Sequence, residues 1–144
     1  MNDASRLTDR AAFTLWTRDT LRYADTDRQG HINNAVFATF LETGRVGFLY
    51  DPAAPLAPSG CEFVIAKLTI DFRNELRWPG MVDIGTVVLA LGRSSITMGQ
   101  GIFAGDACAA TAETVIVLTD ATTRRSTPLP DPLRARLAAL TIGG

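Results

Sequence analysis

Apolar residues recur along this chain with two different periods, and each period predicts an element. Between Asn34 and about Tyr50, the residues Phe37, Phe40, Leu41 and Phe48 return at the three- and four-residue steps of an amphipathic helix. Asn33 or Asn34 suits its N-cap, because a short amide side chain can accept from the free N–H groups of the first turn. Gly44 and Gly47 lower helix propensity and so predict a close approach by a neighbouring element. Asp51 to Gly60 carries three prolines and ends the helix. Residues 13–24, rich in threonine and aromatics, predict a strand. Four longer strands are predicted over Phe63–Phe72, Val82–Leu91, Ser94–Phe103 and Ala107–Thr119. Their hairpin-length connections predict that consecutive strands are antiparallel neighbours, with Trp78-Pro79-Gly80 turning the first into the second. Pro128 to Pro132 is a further break, before a short C-terminal helix over Leu133–Leu140.

The order strand, helix, four strands predicts an α+β fold. An antiparallel sheet of about five strands wraps around one long helix, since each has an apolar side to bury. Part of such a sheet stays bare, which predicts a homodimer or a homotetramer. The 144 residues are expected to form one domain, with its core at about 13–133.

Composition narrows the function classes. A formal net charge of −1 and 20% charged residues argue against a nucleic-acid or membrane-surface binder, which needs a basic excess. Met1 to Arg10 holds no apolar leader segment, and no run approaches the roughly 18–20 apolar residues of a membrane span, so a cytoplasmic protein is expected. Cys61 and Cys108 are too far apart for a metal spacing and are expected to be free, buried or half-buried thiols. A single histidine, His31, excludes any site built on two. Nucleotide-cofactor glycine motifs are absent from the sequence, and no base can be placed beside the Ser94, Ser95 or Thr17 hydroxyls to make one a nucleophile.

The chemistry concentrates between Arg22 and Asn34. Asp25 and Asp27 follow a strand-like run, a Gly30-His31 turn comes next, and the asparagine pair then starts the helix. That layout puts a carboxylate close to the amide-rich, positive end of a helix, where a carbonyl oxygen can be bound and polarised. Glu42 and Arg45, three apart, are expected to pair across one helical turn.

The run Arg22-Tyr-Ala-Asp-Thr-Asp-Arg-Gln-Gly-His-Ile-Asn-Asn-Ala-Val-Phe37, with Glu42-Thr-Gly-Arg45, resembles the hotdog-fold acyl-CoA thioesterases of the 4-hydroxybenzoyl-CoA thioesterase-like branch. Further matches are Ile70-Asp-Phe-Arg-Asn-Glu-Leu-Arg77, Gly92-Arg-Ser-Ser95 and Ala112–Asp120 ahead of Pro128-Leu-Pro130. The resemblance implies hydrolysis of an acyl-CoA to a free acid and CoA, without metal or redox cofactor. It implies that Asp27 is the essential carboxylate, as nucleophile or as general base, and that the Asn34 backbone amide polarises the thioester carbonyl. Asp25 takes a supporting role. Phe37 departs from the tyrosine that many relatives carry there.

Around this centre the expected substrate contacts are His31, Asn33, Phe37, Arg73, Arg77, Arg93 and Ser94. The arginines would meet the phosphates of CoA, and Phe37 and Phe40 would line the acyl pocket or simply pack the core. His31 fits a turn residue and a substrate contact equally well, and a base less well. Rival functions are a hotdog hydratase or dehydratase, a non-catalytic acyl-thioester-binding protein, and a thioesterase acting on acyl carrier protein. The first would carry its acid and histidine on the helix, whereas here both precede it.

Overall fold

A computed structural model describes residues 3–142. The strands are β1 (Leu15–Leu21), β2 (Cys61–Phe72), β3 (Gly80–Leu91), β4 (Ser95–Ala104) and β5 (Ala107–Asp120), and the helices are α1 (Asn34–Leu49) and α2 (Asp131–Ala138). Short 3-10 turns cover Asp3–Thr8, Arg10–Ala12 and Tyr23–Asp25. The five strands form one antiparallel sheet in the order β1-β3-β4-β5-β2, with α1 across its inner face. This is the hotdog arrangement. No helix among the described residues is long and apolar enough to cross a membrane.

The strand order corrects one expectation. β2 and β3 are not hairpin neighbours, since β4 and β5 lie between them and β2 forms the far edge. β2 pairs with β5 from Cys61↔Asp120 to Phe72↔Ala110. Residues 73–79 then cross the end of the sheet, starting where Arg73 N and Asn74 N both donate to the Ala109 carbonyl. Connection length alone does not choose between a hairpin and a short crossover. β1 is also shorter than the predicted 13–24, because Tyr23–Asp25 coils into a 3-10 turn stabilised by bonds back to Arg22 and Tyr23.

The helix buries Phe37, Phe40 and Leu41 against Ile84, Ile102 and Ala110. Gly44 lets side chains of the sheet reach the helix backbone: a Cβ there would lie 2.6 Å from Ile84 Cγ2 and 2.8 Å from Gln100 Nε2. Gln100 is fully buried, and its amide donates to the Leu41 carbonyl at 2.9 Å and to Thr86 Oγ1 at 3.1 Å. Arg45 is buried too and donates to Gln100 Oε1 at 3.2 Å. Burial holds its guanidinium below the usual arginine range, against the opposing pull of Glu42. The expected Glu42–Arg45 ion pair is absent among the described residues: Arg45 points inward and Glu42 stays exposed.

Two further clusters complete the core. Leu133 and Leu137 of α2 close over Val88, Ile96 and Leu118, and the predicted helix is found two residues earlier than expected. On the outer face, Leu7, Ala12 and Phe13 pack on Val87 and Phe103, so the N-terminal turns cover part of the sheet. β2 keeps an unpaired edge, and Val64, Ile65 and Phe72 on it are exposed, as is Val46 on α1.

Candidate active site

The segment Thr26–Ile32 folds into a tight loop that ends at the start of α1. Thr26 and Ile32 bridge across its neck, Asp27 N donates to the His31 carbonyl at 2.7 Å, and Gly30 N donates to the Asp27 carbonyl at 3.0 Å. Gly30 has φ +83°, a left-handed conformation that glycine adopts without penalty. A second neck tie runs from Asn33 N to the Asp25 carbonyl at 2.9 Å. Asp25 itself is buried and takes both bonds from Arg22, at 2.6 and 3.0 Å. Those hydrogen bonds hold its carboxyl below the usual carboxylate range, so Asp25 is a charged anchor for the loop.

Asp27 is half-buried, and its Oδ1 accepts from Gln29 N at 2.9 Å and from His31 N at 3.1 Å. The Asx turn therefore fixes one oxygen and leaves the other, Oδ2, without a partner among the described residues. Asn33 caps α1 through Oδ1, which accepts from Ala35 N at 2.9 Å, and its carbonyl accepts from Val36 N. The Asn34 N–H has no acceptor among the described residues and stands at the positive end of the helix dipole.

Asp27 and Asn34 line one cleft of about 320 Å³, together with Gln29, His31, Ile32, Phe37, Phe72, Arg73, Asn74 and Glu75. The loop and helix start form one wall. The crossover after β2 forms the other, joined to the first by Ile32 N donating to the Leu76 carbonyl at 2.8 Å and by the His31–Arg77 bridge. Asn74 Nδ2 donates to the Cys108 carbonyl at 2.7 Å, and Arg73 Nε to Thr111 Oγ1 at 3.3 Å, which fix that wall on β5. Phe37 and Phe72 meet edge to face at 5.2 Å across the floor. Such a cleft presents a carboxylate oxygen and a backbone donor to one small volume, the pair of groups that acyl transfer to water requires.

Of the residues named from the sequence, Asp27, His31, Asn34, Phe37 and Arg73 line this cleft. Asn33 serves the helix cap, and Arg77 reaches the cleft through His31 Nε2 at 2.8 Å. Phe40 is core, on the β1 side of α1. Arg93 and Ser94 lie at the β3–β4 turn, where Arg93 O accepts from Leu129 N and Ser94 O from Leu118 N. Within one chain that turn is at the opposite end of the sheet from Asp27. Gln29, Phe72, Asn74 and Glu75 line the cleft as well, and none of them was an expected site residue. The signal for the last two was the polar run Arg73-Asn74-Glu75 directly after an apolar strand.

A larger groove of about 470 Å³ lies at the other end of α1, bounded by β1, residues 51–56 and α2. Its one cation, Arg136, is spent on the carbonyls of Ala54 and Pro55. Cys61 and Cys108 are free and half-buried, and burial pushes the Cys108 thiol up. Among the described residues no cluster of side chains could hold a metal ion.

No curated protein sequence matches the chain. Among solved structures, a thioesterase from Thermus thermophilus complexed with coenzyme A and zinc is 31% identical, with a TM-score of 0.79 over 90% of this chain and 95% of that one. A predicted thioesterase from Bacillus stearothermophilus is 28% identical, with a TM-score of 0.79 over 88% and 96%. A Pseudomonas aeruginosa protein, 24% identical, shares the fold with a TM-score of 0.83 over 94% and 96%. The profile of the thioesterase-like superfamily matches residues 21–137, so that from the end of β1 to α2 the chain belongs to that superfamily.

Proposed function

We propose that this chain hydrolyses acyl-CoA thioesters, in the manner of the 4-hydroxybenzoyl-CoA thioesterase-like branch. One observation carries the proposal: Asp27, whose Oδ2 has no partner among the described residues, and Asn34, whose N–H has none there either, line the same cleft. The thioester carbonyl oxygen sits at the Asn34 N–H, where the helix dipole favours the negative charge of a tetrahedral intermediate. Asp27 either attacks the carbonyl carbon, giving a mixed anhydride that water cleaves, or takes a proton from an attacking water. In both routes the C–S bond breaks, the CoA thiolate leaves and is protonated, and water supplies the oxygen of the free acid. The coenzyme A bound by the Thermus thermophilus thioesterase supports this choice of carrier.

Arg73 is the cleft arginine suited to a CoA phosphate, while Phe37 and Phe72 offer an apolar floor to the acyl group. The unpaired edge of β2 and its exposed Val64, Ile65 and Phe72 support a homodimer or homotetramer. Arg93 and Ser94 would then serve CoA only from a neighbouring subunit.

The test is thiol release by the purified chain from short, medium, long and aromatic acyl-CoAs. Turnover of at least one ester is expected. Binding of acyl-CoA without thiol release would replace hydrolysis with a carrier role, and turnover confined to acyl carrier protein esters would change the carrier.

A further inference from the structure

On the cleft wall three charged or titratable side chains meet at one atom. His31 Nε2 lies 2.8 Å from an Arg77 guanidinium nitrogen and 3.0 Å from Glu75 Oε2, and Glu75 and Arg77 are themselves 3.6 Å apart. The histidine side chain is only 18% exposed, against 63% for each partner, so the ring is the fixed member. Its backbone is tied on both sides, to Arg77 by a bridge and to Asp27 Oδ1 through its N–H.

The two partners make opposite demands. A guanidinium carries five N–H donors, no acceptor, and does not lose its proton. Its contact with Nε2 is a hydrogen bond only if that nitrogen presents a lone pair. An ionised Glu75 only accepts, and so needs a proton on the same nitrogen. One neutral imidazole cannot satisfy both, and Arg77 makes the shorter contact. With Nε2 accepting, the neutral ring must hold its proton on Nδ1, the reverse of the form that free histidine favours in water. Nδ1 has no partner among the described residues, and His31 lines the cleft.

We infer that Arg77 is a positioning residue that locks neutral His31 as its Nδ1–H tautomer, so that the ring gives a hydrogen bond to an oxygen of the bound substrate and does not act as a base. Glu75 pairs with Arg77 at 3.6 Å, and the other charged residues lining the same cleft are Asp27 from the loop and Arg73 from the crossover. What the donor meets rests on the acyl-CoA reading; the tautomer does not.

Because the chain has one histidine, its imidazole nitrogens give an unoverlapped 15N spectrum. In the full chain, at a pH where the ring is neutral, we expect a protonated Nδ1 and a bare Nε2. Arg77→Met should move the proton to Nε2, while Arg77→Lys, which keeps a donor, should retain the wild-type form. With a hydrolysed ester, Arg77→Met should lower kcat/KM about tenfold, the scale of one hydrogen bond, and Arg77→Lys should recover most of it. A wild-type ring protonated on Nε2, or an Arg77→Met ring unchanged from wild type, would overturn the tautomer assignment. A switched tautomer with unchanged kcat/KM would overturn the donor role. If no ester is hydrolysed, the spectrum still decides the tautomer.

Discussion

Asp27→Asn is expected to lower kcat for thioester hydrolysis by about 10²-fold or more, the scale of losing a main catalytic group. The substitution is close to isosteric. An amide oxygen can still accept from Gln29 N and His31 N, the two bonds that shape the loop around Oδ1. What disappears is the charge on the free oxygen, and with it both the nucleophile and the base. The loss should therefore fall on kcat, with CoA affinity and unfolding midpoint near wild type. Steady-state thiol release, combined with CoA titration and urea unfolding of the same preparations, separates these quantities. Near-full activity in the variant would remove Asp27 from the mechanism and make Glu75, the other cleft carboxylate, the next to test.

Leu41→Ala should have the largest effect on stability, a loss of about 2–5 kcal/mol. Leu41 is fully buried between α1 and the sheet, inside the cluster that holds Ile84, Ile102 and Ala110. The Gln100 bonds and the Gly44 contact pin the helix at that position and in the turn that follows it, which limits how far the surroundings can collapse into the void. Urea unfolding with an unchanged m value checks the magnitude. A loss below about 1 kcal/mol would mean that the helix does not depend on this core and that its N-terminus is held by the loop alone.

The sequence made some parts of this molecule legible for local reasons. The helix was written in its apolar spacing and in Asn33, whose side chain does cap it; the loop was written in Gly30, which has the positive φ that the turn demands. The strands were written as apolar runs, but their partners were not. β2 is apolar enough to pair with either neighbour in sequence, and only the three-dimensional closure of the sheet on α1 sends it to β5. The same limit hid the orientation of Arg45. Helical spacing places it near Glu42, but the proximity of Gln100 depends on which face of α1 meets β4, and that face takes the arginine inward. Glu75 was overlooked for a similar reason, since nothing local announces that residue 75 will stand against His31. Arg93 and Ser94 carry matching local sequence, yet the sheet holds them a strand's length from Asp27 within one chain.

If a thioester carbonyl binds between the Asp27 carboxylate and the Asn34 N–H, as proposed, that N–H gains an acceptor. Amide NMR of the 15N-labelled chain, titrated with a non-hydrolysable ketone analogue of an acyl-CoA and separately with free CoA, tests it most directly. The analogue should shift the Asn34 N–H strongly downfield, as a new hydrogen bond to its carbonyl requires, and free CoA, which lacks that carbonyl, should not. An analogue that binds while the Asn34 N–H stays in place would contradict this binding mode.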